Sequence, residues 1–309
     1  MSQADLLRRV RSATSPTDRR DSALELLAAT RSREHVDAAL AALERDEVRA
    51  LLGDAHRAAL REKALHYFEH EDRDRGGLIR EKIIRLLTAI RHRDDADLYL
   101  RGVTTYGGQG TQTLRAASLA GLLAVDPGQA AAYAVRLLGE PDTSPLSGEP
   151  SITAMAVLAH SGQPLPIYQF ALLLGESFVR DNKGEVVSKA LELIGGEIPP
   201  ALYRSLAKTF IALDSPVACS GIVNAIVEGR MADLYPLLEE MLARTRSGDL
   251  HRYSAIMLAA SREPDLTALL YRLARQSARA RLDNFVEAVE LSTGDERDAI
   301  LALLAKRRR

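Results

Sequence analysis

The chain has 309 residues, with 41 Lys plus Arg against 42 Asp plus Glu, one Cys and no Trp. This is a globular composition, and its near-zero net charge excludes a global electrostatic pull toward nucleic acid or an anionic membrane. The lone Cys219 excludes an internal disulfide framework and fits a reducing cytoplasm, and no apolar run approaches the roughly 18 residues of a membrane-spanning helix.

The first residues, from Met1 to Arg11, are charged throughout and lack the apolar core of a signal peptide. Ser15-Pro16 reads as a helix N-cap followed by proline at the first helical position. Helices are expected near 17–30, 34–44 and 54–70. Residues 1–77 read as a helical cap over the end of a repeat array, or as a separate small helical domain closing at the polar stretch from Glu71 to Gly77.

From residue 78 onward helical spacing dominates. Ile83, Leu86, Leu87 and Ile90 share one helical face, as do Val187, Ala190, Leu191 and Ile194, and Leu266, Leu269, Leu270 and Leu273. Turn signals such as Asp94-Asp95, Asp126-Pro127-Gly128, Pro199-Pro200 and Glu263-Pro264-Asp265 stop one helix and start the next. The pattern predicts seven helical hairpins, at 78–105, 112–139, 151–175, 184–213, 216–244, 249–276 and 279–307, with a period of roughly 33 residues. One hairpin cannot bury both its faces, so such units stack and share a continuous core. Tyr99, Tyr133, Tyr168, Tyr203, Tyr235 and Tyr271 keep the period, at spacings of 34, 35, 35, 32 and 36. Two connections, Thr104 to Gly110 and Pro141 to Pro150, are longer than stacking requires and flank the second hairpin, as functional loops or as cheap insertions.

The stretch Leu114-Arg115-Ala116-Ala117 through Asp126-Pro127 resembles the first helix and Asp-Pro turn of HEAT-type repeats, of the armadillo-like α-solenoids, and Ile79-Arg80 through Asp94-Asp95 is a second instance. Later hairpins keep the period without the arginine. The resemblance covers about three quarters of the chain and implies an all-α, right-handed superhelical solenoid over 78–309. It also implies a scaffold or adaptor, not an enzyme, that holds a protein partner on an extended surface. Tetratricopeptide repeats share the period, but their signature needs a Trp that this chain lacks.

Chemistry is thinly signalled. His66-Tyr67-Phe68-Glu69-His70 has the order of an inverted zinc-protease motif, but a solenoid offers neither its third ligand nor its cleft, so no metal or cofactor is expected. Cys219 reads as a buried structural thiol, His160 as an interior or capping residue, and the tail from Lys306 to Arg309 as structural or solvating. The tyrosines serve either packing or a binding row on the second helices. Tyr99 and Tyr203 can join apolar seams, whereas Tyr133, Tyr168, Tyr235 and Tyr271 fall off theirs. The expected partner surface is therefore Tyr133, Arg136, Arg204, Tyr271 and Arg272, aromatic anchors beside guanidinium groups. The alternative is a nucleic-acid-binding or base-repair protein similar to the HEAT-like alkylated-base glycosylases, whose tryptophan platform has no counterpart here. A lyase accessory subunit similar to the HEAT-repeat bilin lyases comes last, for want of a cofactor signature.

Overall fold

The computed structural model describes residues 2–107, 110–140, 143–144, 147–181 and 183–308, with the backbone alone for 178–181. The chain is 79% helical, and the described residues contain no strand. It divides into two compact units, Met1–Ser161 and Gly162–Arg309.

The first unit contains α1 (Gln3–Ser12), α2 (Pro16–Ala29), α3 (Arg33–Leu43), α4 (Asp46–Arg49), α5 (Asp54–Glu69), α6 (Leu78–Ile90), α7 (Ala96–Val103), α8 (Thr111–Val125), α9 (Pro127–Leu138) and α10 (Ser151–His160). Two of the expected caps are present, whereas Asp95 precedes α7 without capping it, its carboxylate taken by two arginines. The Ser15 hydroxyl accepts from the Asp18 N–H ahead of Pro16, and the Asp126 carboxylate accepts from the Gln129 N–H ahead of Pro127. Each satisfies a donor that the first turn leaves open. The chain start, read as merely charged, forms α1. A capping box between Ser2 and Asp5 starts it, and Leu6 and Val10, one turn apart, bury against the unit.

Packing sets the order of the layers. The helices α3, α6, α8 and α10 stack one on the next, and α5 and α7 lie in a second row behind them. The tightest partner of α7 is α8 rather than α6. Gly102 permits this approach, because a Cβ there would sit 1.9 Å from the Ser118 hydroxyl oxygen. In this unit the helices thus meet most extensively as α5 with α6, α7 with α8 and α9 with α10, although α8 and α9, the predicted hairpin 112–139, are in contact as well. The break expected at residue 77 falls inside the first unit. Both α3 and α5 pack on α6, and Arg57 and Arg61 of α5 reach the buried Asp95 beyond it, at 2.9 and 3.0 Å.

The second unit contains α11 (Pro164–Asp181), α12 (Gly184–Ile194), α13 (Pro200–Ala212), α14 (Pro216–Glu228), α15 (Tyr235–Arg244), α16 (Gly248–Ala260), α17 (Pro264–Gln276), α18 (Leu282–Leu291) and α19 (Arg297–Arg308). Here α12, α14, α16 and α18 stack in one row, while α11 packs on α13, α13 meets the turn Ala232–Leu234 ahead of α15, and α15, α17 and α19 follow one another. The closest approach is α14 on α12, where a Cβ at Gly221 would lie 2.1 Å from the Ser188 carbonyl oxygen. Around it Cys219, Ile222, Val223 and Ile226 are buried. Full burial of an aliphatic side chain of this size stabilises by about 1.5–3 kcal/mol. The basic tail is structural as far as it is described, since the Arg307 guanidinium donates to the carbonyls of Ala274, Arg275 and Ser277 at the end of α17.

Candidate functional site

The two arginines that carry the repeat resemblance are buried, with Arg80 1% and Arg115 0% exposed. Such charges persist inside a protein only when paired and hydrogen-bonded. Arg80 pairs through Nε with Asp74 at 3.2 Å and through Nη1 with Glu71 at 2.9 Å. The Asp74 carboxylate also accepts the Ile79 and Arg80 N–H groups at the start of α6. Arg115 pairs with Glu140, donates through Nε to the Val103 carbonyl and lies 4.5 Å from the Tyr106 ring centroid. The Tyr106 hydroxyl donates to Glu140 at 2.5 Å and accepts from Arg136 at 2.8 Å. The first long connection, through Tyr106, therefore meets at this cluster Glu140, the residue that precedes the second. Gly108, Gln109, Pro141, Asp142, Pro145 and Leu146 of those connections lie outside the described residues.

A trough runs across the stacked row α6, α8 and α10. It consists of two cavities, about 410 and 680 Å³, that share Arg49, Arg85, Thr88 and Ala120. Its floor is made of small side chains, since Ala116, Ala117, Ala120 and Ala124 of α8 follow one face of that helix. The described floor from Thr113 to Ala124 spans about 16 Å of helix axis. Polar groups form the rim. Arg49 of α4 pairs with Asp46 at 2.6 Å, and Arg85 of α6 pairs with Glu81 at 2.8 Å. Arg91, in the left-handed conformation that ends α6 at φ 60°, stands exposed at the second cavity. His160, expected in the interior or at a cap, ends α10 exposed on the same cavity.

The residues expected to form the partner surface are divided between the two units. Tyr133 and Arg136 lie on α9 in the first unit, and Arg204, Tyr271 and Arg272 in the second. Tyr133 is half-buried and Arg136 is exposed, tied to Glu140 and Tyr106. Arg204 donates to the Asp233 carbonyl, and Arg272 pairs with Glu239 at 3.2 Å. Tyr271 is only 4% exposed, with its hydroxyl bonded to Ser292 and Gly294, so it packs rather than displays. Tyr99 and Tyr203 fill the seams that their phase predicts, and burial pushes both hydroxyls up, that of Tyr99 to about 12.

Other candidates resolve into structure. Cys219 is buried, and burial with the nearby Asp214 pushes its thiol up to about 12, which removes nucleophilic character. The His66 and His70 rings stack 4.5 Å apart, with His70 Nδ1 2.9 Å from the His66 carbonyl oxygen. Burial and the neighbouring His70 lower the His66 pKa. No group of three or more His, Cys, Asp or Glu able to hold a metal ion occurs among the described residues. Among the described residues, no helix is long and apolar enough to cross a membrane.

Sequence reasoning missed Tyr106, Arg49, Arg85 and Arg91. The alanines of the α8 repeat face were a signal, but they read as resemblance to a family and not as the floor of a trough. Compared with known proteins, the chain matches no family model and no curated relative.

Proposed function

We propose that the chain is a HEAT-type helical-repeat scaffold that holds a protein partner in the trough of its first unit, without catalysis. The observation that supports this is the trough itself. Two cavities share four residues, run along one helix and are floored by methyl groups that admit close approach of another chain. Wide shallow grooves with small floors and polar rims suit a peptide segment better than a compact metabolite, which is commonly enclosed on most of its surface. The repeat arginines, the Asp126-Pro127 turn and the stacked rows favour a right-handed α-solenoid of about seven hairpins as the scaffold, working in the cytoplasm. The partner face moves from the second helices, on which Tyr133 and Arg136 stand, to the row α6, α8 and α10.

Site-specific photo-crosslinking tests this. A benzophenone side chain placed at exposed Ala120 in cells should form an adduct with one defined protein, while the same group at Tyr133 should not. An adduct from Tyr133 alone returns the partner to the second-helix face and overturns the assignment. No adduct from either position overturns it as well.

A further inference from the structure

We infer that the trough takes an acidic segment of its partner, recognised by Arg49, Arg85 and Arg91. This rests on the trough reading above and adds the chemistry of the occupant. Formally the rim is balanced, because Asp46, Glu81 and Glu149 stand near the three arginines. Two of those carboxylates are already used. Glu81 is 12% exposed and accepts from both Arg85 and the Thr113 hydroxyl, at 2.8 and 2.7 Å, while the Arg85 side chain is 59% exposed. Glu149 accepts the Thr153 N–H at 3.1 Å at the start of α10, where the helix terminus offsets its charge. Asp46 alone is open, and its pair with Arg49 is exposed on both sides. Surface pairs of that kind hold by about 1 kcal/mol or less, so Arg49 can exchange partners at little cost. Arg91 makes no ion pair among the described residues and faces the second cavity. What the trough presents to solvent is guanidinium over a methyl floor. Planar guanidinium groups bind carboxylates in two-pronged fashion.

The test uses the full chain and fluorescence anisotropy with labelled decaglutamate, decalysine and a single-stranded DNA decanucleotide at one ionic strength. Decaglutamate should bind, decalysine should not, and the double variant R85E/R91E should weaken binding about tenfold or more. R85K/R91K should retain part of it, because charge survives and the two-pronged geometry does not. R246E, an exposed arginine of the second unit, should bind like the parent. R91E alone alters no ion pair and should move affinity in the same direction, which keeps the test sound if the double variant misfolds. Three results overturn the inference: tighter binding of the DNA than of decaglutamate, binding unchanged in R85E/R91E and R91E, or no binding of decaglutamate. A partner caught at Ala120 with no acidic segment also overturns it, while leaving the trough reading intact.

Discussion

The two units solve one problem in different ways. In each, a polar residue sits near the start of a stacked helix, facing inward. In the first unit these residues are Arg80 of α6 and Arg115 of α8; in the second they are Cys219 of α14 and His251 of α16. All four are buried. The first unit meets its arginines with carboxylates supplied by the connections, Asp74 from the turn before α6 and Glu140 from the lead into the second long connection. In the second unit the chain enters α14 and α16 directly from the caps Ser215 and Ser247. Its buried positions are filled by groups that become neutral instead. His251 stacks edge-on against Phe285 at 4.9 Å, and burial beside Arg281 holds its pKa down at about 4. The ion pairs of the second unit, such as Arg252 with Glu287, lie at the surface. At both buried arginines the counter-charge comes from a segment beside the stacked helices, not from a stacked helix.

The strongest way to break this comparison is Arg115→Ala. It removes the buried cation from Glu140, which keeps only the exposed Arg136 and the Tyr106 hydroxyl, takes the guanidinium donor from the Val103 carbonyl and opens a void, so a loss of about 3–5 kcal/mol is expected in urea unfolding. A loss below about 1 kcal/mol would show that the cluster is incidental. His251 gives the next effect, through pH. Its folded pKa lies below its unfolded one, so the unfolded chain binds the extra proton. The contribution is complete above the unfolded value near 6.5 and is lost as pH falls toward 4. A shift of this size corresponds to up to about 3 kcal/mol. The melting temperature should fall over that window in the parent, and less steeply in His251→Gln once their difference at pH 7.5 is subtracted. Equal slopes would remove the buried-neutral account. Arg272→Ala is the smallest. Its pair with Glu239 is exposed, and a change under about 1 kcal/mol is expected, shrinking further in high salt.

Much of the local structure was legible. The expected helices at 17–30, 34–44 and 54–70 match α2, α3 and α5 to within a residue or two, because Ser15-Pro16 and the apolar spacing fix them. The pairing of helices was legible only in part: α16 meets α17 and α18 meets α19, as in the expected hairpins 249–276 and 279–307, but α7 packs on α8 and not on α6. A cap such as Asp126 marks every helix-to-helix connection alike, whether it lies inside a pair or between pairs. Only contacts such as Gly102 on Ser118 distinguish the two. The same ambiguity hid the trough, since which helices face it depends on that register. The boundary at Ser161 carries no composition change, as the hairpin signals run evenly past it. Tyr271 misled for another reason. Its phase points away from the helix seam, and a segment distant from its helix, Ser292 to Gly294, folds over it.

The cluster around Arg115 has an evolutionary consequence. One guanidinium group serves the Val103 carbonyl, the Tyr106 ring and the Glu140 carboxylate, while Arg136 joins the last two from the other side. A lineage that loses the acid strands a cation in the interior, and one that loses the cation leaves a void and the acid held only by Arg136 and Tyr106. These side chains should therefore be inherited or discarded as a set, so that neither connection can drift in sequence independently of its neighbour.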